Sequence, residues 1–217
     1  MLKAIIFDFD GTILDTETPD YHSWNSIFVD HGCELEQDAW CQVVGTNWDH
    51  FNPFDHLEQK IGRSVARDQL WDLHKERFHA LVKQQVPLPG VEALLKQATE
   101  LGLKLAVASS SQRQWVQGHL ERLELLEYFP VVASADDVEK VKPDPVLYRV
   151  AVERLGVTPA AAMAIEDSVN GVRAAKAAGL RCVAVPNSVT KNLDFSMADE
   201  VLETLNGCVL ETLIRRW

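Results

Sequence analysis

One stretch constrains this chain more than any other: Phe7 to Thr16, FDFDGTILDT, and the apolar run Ala4 to Phe7 that leads into it. That run is short and uncharged, the pattern of a buried strand. Asp8 and Asp10 follow, two residues apart, a spacing that at a strand end puts both side chains on the same side of the chain. Gly11 comes next, where the backbone must turn away from the sheet. Two carboxylates held this close repel each other unless a cation or a shared proton intervenes. The stretch therefore implies a hard cation such as Mg2+, which takes oxygen ligands and keeps waters. A single Asp at a strand end is more often a turn former or a helix cap, so the rest of the chain has to decide.

The hydrophobic periodicity divides the chain. Thr18-Pro19 reads as a helix start, a capping hydroxyl followed by proline at the first helical position, with the helix running to about His31 and stopping at Gly32. Only helical periodicity follows, with many aromatics, as far as Pro87-Leu88-Pro89-Gly90, which reads as a linker. Beyond it the period changes. Helix is expected over 91–101, strand over 103–108, helix over 111–123 and a short strand over 131–133. Helix over 145–155, strand over 162–165, helix over 168–178 and strand over 181–185 complete the series. This alternation marks a parallel sheet wrapped on both faces, a three-layer α/β fold of Rossmann-like type. The strand at 4–7 has no partner until about residue 103. Residues 16–86 are therefore expected to form a helical domain inserted after the first strand, over a core of 1–15 and 87–217. An insertion at that strand end is placed to cover a site as a lid, with hinges near Asp15 and Pro87.

The net charge of -11 opposes non-specific binding to nucleic acid. It equally means that an anionic substrate needs a local cation to receive it. The four cysteines form no CxxC pair and have no His at zinc-finger spacing, which favours free thiols in a reducing compartment. No long uncharged apolar run is present, so the expectation is a cytoplasmic protein with no membrane partner, and a monomer.

Three further pieces lie where strands should end. Ser109-Ser110-Ser111 offers hydroxyls and free backbone N–H groups at a strand-to-helix junction, which suits a phosphate, although Ser111 could equally cap the helix. Lys142 sits in Val141-Lys142-Pro143-Asp144-Pro145, where the prolines hold a cation in a rigid turn. Glu166 and Asp167 end the strand over 162–165 and can complete an oxygen cage for Mg2+, or simply give the next helix a favourable N-terminal charge.

Together these pieces resemble the four motifs of the haloacid dehalogenase-like (HAD) phosphohydrolase superfamily: DFDGT the first, SSS the second, KP the third and EDSVNG the fourth. The short helical insert is similar to the C1-type cap of the β-phosphoglucomutase and sugar-phosphatase group. The resemblance implies that Asp8 is the nucleophile toward phosphorus and Asp10 the general acid and base. It implies phosphate binding by Ser109, Ser110 and Lys142, with Thr12 fixing the turn. It implies a Mg2+ site made of Asp8, the Asp10 carbonyl, Asp167 and Glu166, the last directly or through water. The implied activity is hydrolysis of a small-molecule phosphate ester through an aspartyl phosphate. In the mutases a His, an Arg and a Lys of the cap grip a second phosphate. They align loosely with Asp20, Trp48 and His74 or Lys75, so Asp20 and Trp48 are the candidate cap contacts, and they favour a phosphatase of sugar or polyol phosphates over a mutase. A response-regulator receiver would lack the 70-residue lid, and a metal-free dehalogenase would have no use for Asp10, Glu166 and Asp167 together.

Overall fold

The computed structural model describes residues 1–40 and 51–215. Its centre is a parallel sheet of strands β1 (Ala4–Phe7), β2 (Lys104–Ala108), β3 (Val131–Ala133), β4 (Ala162–Glu166), β5 (Arg181–Ala184) and β6 (Glu200–Val201). The order is β3-β2-β1-β4-β5-β6, and every neighbouring pair is parallel. Phe7 lies level with Val107 of β2 and Ile165 of β4. The chain leaves β1 toward β3 on one side and toward β6 on the other, so a crevice opens beyond the carboxyl ends of β1 and its neighbours.

The two faces of β1 show why the sheet is wrapped on both sides. Ile5 and Phe7 point into a layer of large residues that includes Leu94, Leu95, Val116, Leu120 and Leu213. That layer is built by helices α5 (Val91–Glu100), α6 (Arg113–Arg122) and α9 (Leu210–Arg215). Ala4 and Ile6 point the other way, against α7 (Val146–Leu155) and α8 (Val169–Ala177). There the sheet offers Ala106, Ala108, Ala162 and Ala164, and α8 offers Ala174 and Ala175. Small side chains on both surfaces let helix and sheet approach closely at interior packing density.

Between β1 and β2 run α1 (Glu17–Asp30), α2 (Gln37–Trp40), α3 (Pro53–Ile61) and α4 (Arg67–Val82). They enclose a separate apolar cluster with Trp24, Ile27, Phe28, Phe54, Leu57 and Leu70, which Val189 joins from beyond β5. The two strands of chain that connect this segment to the sheet lie side by side. Leu14 bridges to Pro87, and Leu88 N–H donates to the Ile13 carbonyl at 2.8 Å.

Local details depart from expectation. Helix α1 begins at Glu17 and no side chain caps it from the Thr16 position; instead the Asp15 carboxylate accepts from the Thr18 N–H at 3.0 Å. A carboxylate three residues further back does the work assigned to the Thr18 hydroxyl. Helix α6 begins at Arg113, so Ser111 is not its cap and its hydroxyl is used elsewhere. Strand β6 and helix α9 were not anticipated, because β6 has only two residues and exposes Val201. Among the described residues, no helix is long and apolar enough to cross a membrane.

Leu94 is fully buried on α5, away from the crevice. Leu94→Ala should cost about 2–5 kcal/mol of stability, as leucine truncation in a packed core does, while activity per folded molecule is retained. Urea unfolding followed by circular dichroism measures it.

Candidate active site

The strand ends deliver the anticipated residues to one place. Asp8 follows β1 directly and its N–H donates to the Ile165 carbonyl at 2.9 Å, which extends the β1–β4 ladder by one step. Glu166 is the last residue of β4 and Ser109 the first after β2. Asp8, Glu166 and Asp167 are all buried, and each offers a carboxylate oxygen within 4.8 Å of the others. The turn at Gly11, at φ 79°, is possible only without a side chain, since a Cβ there would fall 2.1 Å from Asp167 Oδ2.

Lys142 reaches into this cluster. Its ammonium group donates to Asp8 Oδ1 and, at 2.6 Å, to Glu166 Oε1, with only 6% of its side chain exposed. Tyr148 also donates to Glu166 Oε1, at 2.6 Å. Glu166 Oε2 accepts from the Ser168 hydroxyl at 3.3 Å, and Ser168 caps α8 by accepting from Gly171 N–H at 3.0 Å. Gly171 is obligatory beside it, because a Cβ would lie 1.9 Å from Glu166 Oε2. Thr12 lies among the carboxylates, its hydroxyl 3.4 Å from Asp8 Oδ2 and 3.5 Å from Asp167 Oδ1.

Asp10 is held apart from this cluster by neutral donors. Ser111 donates to its Oδ2 at 2.6 Å and Ser109 at 3.3 Å, while the Trp115 indole N–H donates to Oδ1 at 2.9 Å. Ser110 is exposed and lines the cleft rather than touching either Asp.

That cleft has a volume of about 1320 Å³, with Asp8, Asp10, Lys142 and Asp167 among its lining residues from the sheet side. The helical segment supplies Glu17, Asp20, Trp71, His74, Lys75 and Phe78 from the other side. Asp20 Oδ1 accepts from His74 Nε2 at 2.7 Å, and the His74 ring stacks on Trp24 at 4.4 Å and on Trp71 at 5.3 Å. Trp48, the other anticipated cap contact, lies outside the described residues.

The sequence profile of the haloacid dehalogenase-like hydrolases matches residues 5–185. The chain belongs to that family. It is an enzyme of the phosphoric monoester hydrolase type. It is 48% identical over 214 residues to YhcW of Bacillus subtilis (strain 168), provisionally named a phosphatase, a match that covers 99% of this chain and 97% of that one. It is 32% identical over 181 residues to a phosphorylated carbohydrates phosphatase of Thermotoga maritima, covering 82% of each chain. Among solved structures it is similar to CbbY from Rhodobacter sphaeroides in complex with phosphate, with a TM-score of 0.70 and 30% identity over 94% of this chain and 95% of that one.

Three polar partners in this HAD site escaped the sequence reading. Tyr148 steadies Glu166, Trp115 holds Asp10, and Asn187 Nδ2 donates to Asp167 Oδ2 at 2.7 Å. Asn187 lies just beyond β5, so the rule that sites gather at carboxyl strand ends points to it. Tyr148 and Trp115 are inner-face residues of helices and carry no comparable mark.

Burial and crowding raise the acids. The Asp8 carboxyl is pushed up to about 7, first by burial; Lys142 pulls it down, and Glu166 and Asp10 push it up. Asp167 is raised well above the usual range by burial and then by Asp8 and Glu166. Glu17, at the rim, is pushed up to about 8 by burial and then by Asp20 and Asp10. Burial works against the Lys142 charge, but Asp8 and Glu166 outweigh it and hold its value above that of an ordinary lysine.

These shifts fix a sign. Asp8 ionises near its ordinary 3.8 when unfolded and at about 7 when folded. Between those values the folded state binds the extra proton, so stability is full below the lower value and falls as pH rises through the upper one. Asp167 and Glu17 act in the same direction. His119, lowered from 6.5 by burial and then by Arg122, acts oppositely, and Glu36 and Glu58, lowered by hydrogen bonds from Lys60 and Arg67, do so only at the acid edge of this window. Asp137, lowered to about 2, has finished ionising below this window. The chelator-treated protein should therefore melt at progressively lower temperature from about pH 5 to about pH 7.5. A flat or rising melting temperature over that range would contradict the buried acidic cluster.

Proposed function

We propose that the protein is a Mg2+-dependent phosphatase of small sugar or polyol phosphates, working through an aspartyl phosphate on Asp8. One observation carries the reading. Asp8 and Asp10 are two residues apart, yet Asp8 is clamped by Lys142 inside a carboxylate triad while Asp10 is held only by neutral donors. Different surroundings are how two carboxylates acquire different tasks.

The donor set fits a hard dication. Three buried carboxylates supply oxygens within 4.8 Å, and the burial and then the crowding that raise Asp8 and Asp167 are the cost that a bound cation relieves. Asp8, Asp167 and the Asp10 backbone carbonyl would hold it. Glu166, with Oε1 already taken by Lys142 and Tyr148, would contribute through Oε2 or a water. When bound, the ion neutralises charge on the phosphoryl oxygens.

The chain's own residues do the rest. The Asp8 carboxylate attacks phosphorus, the bond to the ester oxygen breaks, and Asp10 gives that oxygen its proton. Lys142, Ser109 and Ser110 hold the phosphoryl oxygens. Water then attacks the phosphorus of the aspartyl phosphate, Asp10 takes its proton, and inorganic phosphate leaves with Asp8 restored.

Residues 16–86 would be the cap over a core of 1–15 and 87–217, hinged where Leu14 and Pro87 pair. Its inner face suits a hydroxylated leaving group better than a second phosphate. Asp20 and Glu17 are acceptors for hydroxyls, and Trp71 offers a flat apolar surface. A buried dianion needs paired cations. In the cap, Arg77 is engaged with Asp30 at 2.6 Å, and Lys75, which does line the cleft, with Asp72 at 2.7 Å. The name of the Thermotoga maritima relative and the phosphate bound in the CbbY structure agree with phosphate-ester chemistry.

Two assays test this. Asp8→Asn should abolish phosphate release from an aryl phosphate without unfolding the protein, and a chelator should do the same to the wild type; full activity in either case would refute the reading. Supplied with β-glucose 1-phosphate and a trace of the 1,6-bisphosphate, the enzyme should release phosphate without making glucose 6-phosphate. Isomerisation much faster than release would make it a mutase and leave the core chemistry intact.

A further inference from the structure

Asp10 depends on a residue outside the four motifs. Trp115 lies on the inner face of α6, half-buried, and its indole N–H meets Asp10 Oδ1 at 2.9 Å. The ring is held from several sides. Phe78 of α4 stacks on it at 5.7 Å with an interplanar angle of 16°. His119 meets it edge-on at 4.2 Å, and His79 at 5.6 Å. Further along α6, Arg122 donates to the carbonyls of Val82, at 3.4 Å, and Gln85, at 2.9 Å, where α4 ends. A guanidinium at a helix carboxyl terminus is a favourable pairing. Helix α6 therefore braces the end of α4 through Arg122 and the Asp10 carboxylate through Trp115.

The chemistry of the contact is one-directional. A serine hydroxyl can donate or accept, but an indole N–H can only donate. Ser109 and Ser111 share Oδ2, and among the described residues Trp115 alone holds Oδ1. Oδ1 is thus kept as an acceptor, and Oδ2 is left as the oxygen that exchanges a proton with substrate. Without the indole, the carboxyl group could turn about its own bond and present either oxygen.

We propose that Trp115 is a positioning residue for Asp10: it fixes the orientation of the carboxyl group and so selects the oxygen that protonates the leaving group. The proposal rests on the reading of Asp10 as the proton donor. Phe78, from the segment read as the cap, fixes the plane of the indole, so the contact tightens or loosens with the position of α4.

The test is a ratio of kcat/KM values for two esters of the same enzyme preparation. kcat/KM reports the steps through the first phosphoryl transfer. An alkyl phosphate such as glycerol 1-phosphate needs a proton on its leaving oxygen, whereas 4-nitrophenolate departs without one. Trp115→Phe keeps an aromatic ring against Phe78 and removes the N–H together with the rest of the five-membered ring. It should lower kcat/KM for the alkyl ester about tenfold, the loss of one hydrogen bond to the carboxylate that forms as Asp10 gives up its proton. It should leave 4-nitrophenyl phosphate within about twofold. The fraction of folded enzyme cancels in the ratio, so a partly unfolded variant is still informative. Equal losses on both esters, or no loss on either, would overturn the proposal. Asp10→Asn separates it from the reading beneath. It should depress the same ratio by roughly 10²–10⁴. If it does so while Trp115→Phe leaves the ratio unchanged, only the positioning role fails. If Asp10→Asn leaves the ratio unchanged, the acid–base reading falls and takes the positioning role with it.

Discussion

The ammonium group of Lys142 lies between Asp8 and Glu166, and the rest of the site depends on that contact. A buried carboxylate triad is unfavourable by itself, because taking each charge out of water costs several kcal/mol. A single buried cation answers part of that cost, and only with the geometry well controlled. Much of the neighbourhood supplies that control. Tyr148 donates to the same Glu166 oxygen as Lys142, Ser168 donates to the other, and Gly171 leaves the space that the carboxylate occupies. The alanine-lined face of the sheet brings α7 and α8 close enough for Tyr148 and Gly171 to be there at all. The charge left over, one cation against three acids, is what suits the cluster to hold a metal cation.

The same strand end presents two carboxylates with different surroundings. Asp8 continues the ladder of β1 and sits among charges, whereas Asp10 lies past the point where the chain turns and meets two serines and an indole. The sheet register determines which is which. Because Phe7 is level with Ile165, Asp8 falls beside Glu166, and the Gly11 turn brings Asp167 against the loop. The two carboxylates are thus separated by topology before any substrate arrives.

Much of this was legible in the sequence, for a physical reason. Residues at strand ends are tied to a local pattern, an apolar run that stops at a polar residue, and Asp8, Asp10, Ser109, Glu166 and Asp167 all carry it. Strand β1 was read with its observed bounds. Lys142 was legible only because prolines fix its turn. What the pattern could not convey was which distant side chains arrive from the helices. Trp115 lies 105 residues from Asp10, and its inner-face position resembles that of any packed aromatic. Ser111 was open to a capping role because a serine before a helix is a good cap, yet Gln112 holds that position and the hydroxyl goes to Asp10. Asp20 was noticed for the cation it lacks; that it would pair with His74, 54 residues away, needed the packing of α1 on α4.

The central claim is that phosphate passes through a covalent bond to Asp8. The most direct measurement is chemical trapping. Enzyme mixed with excess substrate and Mg2+ is quenched within one turnover and reduced with borohydride, which converts an aspartyl phosphate to homoserine, and its peptides are sequenced by mass spectrometry. The account predicts homoserine at residue 8 and an unmodified Asp10. Active enzyme that releases phosphate at full rate and yields no modified residue 8, or that carries the modification elsewhere, would contradict it.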